Sequence, residues 1–288
     1  MKNMMISPII EVEMLLNIYK DADVLIFDVS NSKNAKANYD AEHIEGALFI
    51  DLNTQLADIK SDVSIGGRHP LPKIETFAKT LTDLGISKDK HVIIYDDNNG
   101  SNAAARFWWM LKSVGHNKVQ VLNGGLNHAK NANFPMSSKV EYINRTSESY
   151  HISNWNLPTI EINEVERISH DLNYLVVDVR SKERYEGKNE PIDLIAGHIP
   201  GAINIPFTEN LDENGLFLKP DALRKIYEPI FKEIKTENII VHCGSGVTAC
   251  HTLLALNYAD MEIPKLYVGS WSEWSRNNKK IETTNITS

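Results

Sequence analysis

Short apolar runs alternate with amphipathic stretches along almost the whole chain. Val24-Leu25-Ile26-Phe27, His91-Val92-Ile93-Ile94-Tyr95, Tyr174-Leu175-Val176-Val177 and Ile239-Ile240-Val241 are short and nearly continuous in apolar character. That is how strands read when a parallel sheet is covered on both faces. Between them, apolar residues recur at helical spacing over about Glu75–Leu84, Asn102–Val114, Pro220–Glu233 and Val247–Tyr258. The alternation predicts an α/β fold, with helices packed on both faces of parallel sheets.

The pattern runs twice. Val24-Leu25-Ile26-Phe27-Asp28-Val29-Ser30 returns as Tyr174-Leu175-Val176-Val177-Asp178-Val179-Arg180, and Glu42-His43-Ile44-Glu45-Gly46-Ala47 as Gly197-His198-Ile199-Pro200-Gly201-Ala202. His91–Asp96 returns as Asn238–Cys243, and Leu122–Leu126 as Tyr267–Trp271. The offsets are all about 150 residues and keep their order. A long internal period of this kind predicts two homologous domains, residues 1–143 and 159–288, joined by a polar, serine-bearing linker over 144–158. The polar residues from Arg276 onward read as a frayed end.

Candidate chemistry concentrates where the Ile239–Val241 strand runs into His242-Cys243-Gly244-Ser245-Gly246-Val247-Thr248 and then a helix. A thiol there stands at a strand end and beside a helix N-terminus, where backbone N–H groups are unpaired and the helix dipole is positive. Gly244 and Gly246 permit a tight loop that turns several N–H groups inward. A free cysteine ionises near pH 8.5, and surroundings of this kind favour the thiolate. Cys243 is the candidate nucleophile. Its bland alternative is a small apolar core residue. His242 points to the other side of the strand and is a poor candidate base. At the matching place the first half has Asp96, which cannot do thiol chemistry. One half therefore reads as catalytic and the other as having lost the chemistry. Asp96 and Asp97 have no evident companion ligands for a metal.

Bulk composition narrows the class. The chain has 288 residues, 42% hydrophobic and 24% charged, with a formal charge of −8. An acidic balance argues against nucleic acid as a general partner. Two cysteines make no disulfide framework, and no apolar run reaches membrane-spanning length. The opening residues lack the pattern of a signal peptide. These features predict a cytoplasmic protein.

Three blocks taken together carry a family resemblance: GHIPGA at Gly197–Ala202 with Asn204-Ile205-Pro206-Phe207 behind it, CGSGVTA at Cys243–Ala249, and GSWSEW at Gly269–Trp274. They resemble the two-domain rhodanese-like sulfurtransferases, the group that includes 3-mercaptopyruvate and thiosulfate sulfurtransferases. The resemblance implies two tandem rhodanese-like domains with an inactive N-terminal copy and a site in the cleft between them. It implies that Cys243 attacks the outer sulfur of a small-molecule donor, becomes a persulfide, and passes the sulfur to cyanide, a thiol or thioredoxin. Such ping-pong catalysis needs no metal and no organic cofactor. The loop Gly244, Ser245, Gly246, Val247 and Thr248 would hold the anionic sulfur, with Ser245 assisting proton movement.

Neutral Gly244 and Ser245 after the cysteine resemble the 3-mercaptopyruvate group; thiosulfate-preferring members carry basic residues there. Arg184 matches a family arginine that grips the donor's anionic group. Arg180 is a further candidate for donor binding or for support of the loop, and His69 matches a histidine proposed to act with the loop serine. Two departures touch the donor. Glu190-Pro191-Ile192 lacks the second arginine common in the mercaptopyruvate group, and Asn53 stands where an aspartate is expected, with Asp51 nearby.

Readings from other classes stay open. A cysteine phosphatase would need an arginine six residues after the nucleophile, where this chain has Ala249. A regulatory or sulfur-carrier binding module, and a redox pair of Cys243 with Cys250, are the other two.

Overall fold

A computed structural model describes residues 6–142 and 149–284. Part of the expected linker over 144–158 therefore lies outside the described residues. The chain divides into two compact units. The first is Met1–Ala57, Pro72–Leu157 and Glu213–Phe217; the second is Asp58–Leu71, Pro158–Asp212 and Leu218–Ser288. Two short segments thus fold with the unit encoded by the other half of the sequence.

The first unit is built on a five-stranded parallel sheet in the order Ile9–Ile10, Val119–Leu122, His91–Tyr95, Val24–Asp28, Ala47–Phe49. Because side chains alternate along a strand, Ile26, Ile93 and Tyr95 join one core. That core is shared with Val12 and Leu15 of the helix Val12–Ile18 and with Leu126 and Ala129 of the helix Gly125–Asn131. Phe27 faces the other way and meets Phe107 edge-on at 5.9 Å. Phe107 lies on the helix Ala103–Ser113, and Phe77, on the helix Ile74–Asp83, packs against it.

The second unit repeats the plan. Its parallel sheet runs Thr159–Ile160, Lys265–Tyr267, Ile239–His242, Leu175–Asp178, Ile203–Asn204. The strands take the same sequential roles in the same spatial order as in the first. Ile240, Val176 and Tyr267 pack with Val165 and Ile168 of the helix Ile162–Ile168 and with Trp271 and Trp274 of the helix Ser270–Trp274. The helices Pro220–Phe231 and Ala249–Tyr258 are the other two major helices of this unit.

One expectation fails over the described residues, while its last four positions, 285–288, lie outside them. From Arg276 to Thr284 the polar end does not fray, because its backbone finds partners. Glu282 exchanges both backbone hydrogen bonds with His198, at 2.8 and 3.0 Å, and Thr284 N donates to Glu186. Gly187 and Gly197 leave the space that Ile281 and Thr283 fill. The segment is tied to GHIPGA by the antiparallel bridge between Glu282 and His198.

Candidate active site

The register of the two sheets fixes the correspondence that repeats alone left approximate. Asp28 pairs with Tyr95, and Asp178 with His242. Asp96 and Cys243, the next residues, therefore occupy the same place at the ends of their strands. The loops that follow behave differently.

In the first unit the Asp96 carboxylate accepts four backbone N–H groups: Asn98 at 2.9 Å and Gly100 at 2.8 Å on one oxygen, Asn102 at 3.1 Å and Ala104 at 3.2 Å on the other. The carboxylate is fully enclosed. Burial pushes its pKa up, and the four N–H groups pull against that push. A loop of this shape wraps an anion.

In the second unit the strand Ile239–His242 runs straight into Cys243, which is only 3% exposed. The loop Gly244–Val247 is buried, yet the N–H groups of Gly244, Ser245, Val247 and Thr248 donate to no protein acceptor among the described residues. Buried backbone donors are nearly always paired, and each unpaired one costs about 1–3 kcal/mol. The loop is held from outside instead. Cys243 N donates to Ser270 Oγ at 3.2 Å, and the carbonyls of Cys243 and Gly244 accept from Trp271 N at 3.0 Å and Ser272 N at 2.8 Å. The GSWSEW segment thereby clamps the chain on which the thiol sits. Gly246 has φ +70°, and a Cβ there would lie 2.4 Å from the Val268 carbonyl. No other residue fits without moving that backbone.

The helix begins at Ala249, two residues later than the periodicity predicted, with Thr248 half-buried at its N-cap and making no side-chain cap. Val247 is buried. Cys250 is enclosed in the core, its Sγ 3.4 Å from the Gly246 carbonyl, and both cysteines are free thiols. His242 lies within the sheet with Nδ1 at 3.2 Å from the Cys243 carbonyl and Nε2 at 3.8 Å from Asp178, and burial holds its pKa below the ordinary value.

Ser245 Oγ is 2.8 Å from His69 Nδ1. His69 reaches it because the segment Asp58–Leu71 belongs to this unit. Gly66 N donates to Glu273 Oε1 at 2.8 Å, Arg68 N to Ser272 Oγ at 3.0 Å, and Asn277 Nδ2 to the Ser64 carbonyl at 2.9 Å. Burial pushes the Glu273 carboxyl up, while the Gly66 N–H and the Tyr267 hydroxyl, which donates at 2.8 Å, oppose it. In the first unit, Asp51 spends its carboxylate on capping a short helix through Thr54 N at 2.8 Å, and Asn53 is exposed.

Beside the loop lies a network of arginines and carboxylates. Arg180 Nε contacts both Asp178 oxygens at 3.0 Å, its Nη1 reaches Glu190 at 3.1 Å, and its Nη2 the Gly197 carbonyl at 2.7 Å. Its guanidinium lies 4.5 Å from the centre of the Trp271 ring. Burial alone would raise the Asp178 pKa, but the Arg180 charge holds it below the usual carboxylate range. The Arg180 side chain is 1% exposed, so its place is that of an internal support and not of a group open to a donor. Arg184 Nε contacts both Glu190 oxygens at 3.1 and 3.0 Å, and its Nη2 reaches Asp193 at 3.1 Å. Glu190, despite burial, is held low by Arg184 and by the Asp193 N–H.

Asp193, Arg68 and Arg276 are participants that the sequence reading missed. Arg68 grips Asp193 with two bonds at 3.0 and 3.2 Å, and Arg276 adds a third arginine at 3.3 Å. The signal was present in part: Arg68 directly precedes His69, and Asp193 follows the Ile192 that drew attention as a missing arginine.

Comparison with known proteins gives the family. The sequence profile of the Rhodanese-like domain matches residues 11–132 and again 161–277. The chain belongs to the rhodanese-like family. It is 38% identical to the 3-mercaptopyruvate sulfurtransferase of Mus musculus over 84% of this chain and 80% of that one. It is 37% identical to a probable 3-mercaptopyruvate sulfurtransferase of Pseudomonas aeruginosa over 82% of each. A 3-mercaptopyruvate sulfotransferase from Escherichia coli, solved by crystallography, superposes with a TM-score of 0.77 at 32% identity, covering 93% of this chain and all of that one. This rhodanese-like chain is a sulfurtransferase by kinship and by fold. Among the described residues no helix is long and apolar enough to cross a membrane, and no cluster of side chains has the makings of a metal site.

Proposed function

We propose that the protein transfers sulfur from 3-mercaptopyruvate through a persulfide on Cys243. One observation carries the reading. Cys243 stands where the sister sheet places a carboxylate wrapped by four N–H groups, and its own loop offers N–H groups with no protein acceptor. Such a loop favours negative sulfur both before and after transfer.

The Cys243 thiolate attacks the donor sulfur, an S–S bond forms and the donor's C–S bond breaks. The electron pair leaves with carbon as the enolate of pyruvate, which takes the proton the donor thiol releases. Ser245 and His69, 2.8 Å apart, are the pair suited to moving that proton. A thiophile then attacks the outer sulfur and restores the thiolate. Cyanide, small thiols and a thioredoxin-like dithiol have the required chemistry. Arg184 binds the donor, Arg180 supports Arg184 through Glu190, and the first unit, with Asp96 in place of the thiol, does no sulfur chemistry. Two free thiols fit a reducing, cytoplasmic setting.

Thiosulfate is the second reading, favoured by one feature: Arg68, Arg184 and Arg276 converge on Asp193 next to the loop, a concentration of positive charge that suits a dianion. Steady-state transfer to cyanide with both donors, for wild type and Cys243→Ser, separates them. A kcat/KM at least tenfold higher for 3-mercaptopyruvate, about 1.4 kcal/mol of transition-state preference, is expected. A thiosulfate preference would change the donor, and turnover by Cys243→Ser would remove the mechanism.

A further inference from the structure

Two guanidinium groups stand against the residue that follows the nucleophile. A Cβ added at Gly244 would lie 2.9 Å from Arg68 Nη2 and 3.3 Å from Arg184 Nη2. Both arginines are fixed from behind by the same carboxylate, Asp193, whose side chain is fully buried. Arg184 leans also on Glu190. Neither Nη1 makes a hydrogen bond to protein among the described residues, and the side chains are 25% and 16% exposed. Each fork therefore keeps an open edge.

Charge does not balance here. Arg68, Arg180, Arg184 and Arg276 bring four positive charges against three negative ones from Asp178, Glu190 and Asp193. A pair of planar donors, already ordered by ion pairs, loses little freedom on gripping an anion. In 3-mercaptopyruvate two carbon atoms separate sulfur from carboxylate. That is a span suited to touching Cys243 and the flank of Gly244 together.

We infer that Arg68 is a second donor-binding residue, which with Arg184 grips the donor's carboxylate and does the work that the exposed, apolar Ile192 cannot. The inference rests on the donor proposed above. It also gives the Asp58–Leu71 segment two tasks in one stroke: His69 meets the loop serine while its neighbour meets the substrate.

The test is single-turnover loading of sulfur onto Cys243, read by intact mass, for wild type, Arg68→Ala and Arg68→Lys. Two donors are used: 3-mercaptopyruvate, and inorganic polysulfide, which has no carboxylate. Arg68→Ala should raise the 3-mercaptopyruvate concentration for half-maximal loading about tenfold or more, the loss typical of a charge-assisted hydrogen bond. Loading from polysulfide, an anion that feels the charge but offers no carboxylate to the fork, should fall several-fold less. Arg68→Lys should restore polysulfide loading while recovering 3-mercaptopyruvate loading only in part, because it keeps the charge and loses the fork. If Arg68→Ala does not fold, Arg68→Lys makes the same comparison. Equal losses with both donors, or no loss with either, overturn the inference while the donor stands. A wild type that loads from polysulfide and not from 3-mercaptopyruvate overturns the donor reading itself.

Discussion

At the scale of single residues, the donors make different demands on the Ser245–His69 pair. Sulfur leaves 3-mercaptopyruvate only if a proton moves from sulfur towards carbon, whereas thiosulfate releases sulfite with no proton to move. Ser245→Ala should therefore slow loading from 3-mercaptopyruvate about a hundredfold, the ordinary worth of a positioned proton carrier. Loading from thiosulfate should change far less. Stopped-flow measurement of both half-reactions checks this, and an equal fall for the two donors would reduce Ser245 to a packing residue. At this scale the sequence was most legible for Cys243 and its loop, because strand, thiol and glycines announce a local geometry. Arg68 and Asp193 were hidden because their meaning comes from a contact across 125 positions, which no local pattern carries.

At the scale of elements, the two strand–loop–helix units are one device in two states. The first is filled by its own carboxylate. Replacing Asp96 by Ala would leave four N–H groups inside the fold without their acceptor. Hydrogen bonds to a charged group contribute about 1.5–3 kcal/mol each, and such losses are not additive. Asp96→Ala should therefore lower stability by about 3 kcal/mol or more in urea denaturation. A loss below about 1 kcal/mol would mean that the loop rearranges freely and that the carboxylate does not organise it. The helices and central strands followed closely from apolar periodicity, with ends shifted by one or two residues, since caps depend on partners. The Arg276–Thr284 segment misled because polar residues read as solvated, although its backbone was to be bonded by His198 and Glu186.

At the scale of the whole molecule, buried histidines set the response to acid. Burial lowers the pKa of His116 to about 4 and of His251 to about 3. Each native pKa lies below the unfolded value near 6.5. The unfolded chain thus binds more protons over that interval, and stability is full above about pH 6.5 and lost as pH falls towards the native values. At pH 5 each histidine accounts for about 2 kcal/mol. Asp28, Asp96 and Glu273, whose pKa values burial raises, act in the opposite sense above about pH 4 and reduce the total. Denaturation in urea at pH 7.5 and pH 5 should show a net fall, and His251→Gln should make it shallower. A slope that His251→Gln leaves unchanged would contradict the assignment of this histidine as neutral in the native state. The repeat of two α/β units was readable from the offset of about 150 residues. The exchange of Asp58–Leu71 and Glu213–Phe217 was not, since a polar loop carries no mark of the core it will join.

The central claim is that Cys243 carries the sulfur. Its most direct test is intact-mass analysis with peptide mapping after brief exposure to 3-mercaptopyruvate and no acceptor. The account predicts one added sulfur atom on Cys243 and none on Cys250, lost again when cyanide is added and absent from Cys243→Ser. Unmodified Cys243, or a sulfur atom that persists in Cys243→Ser, would contradict it.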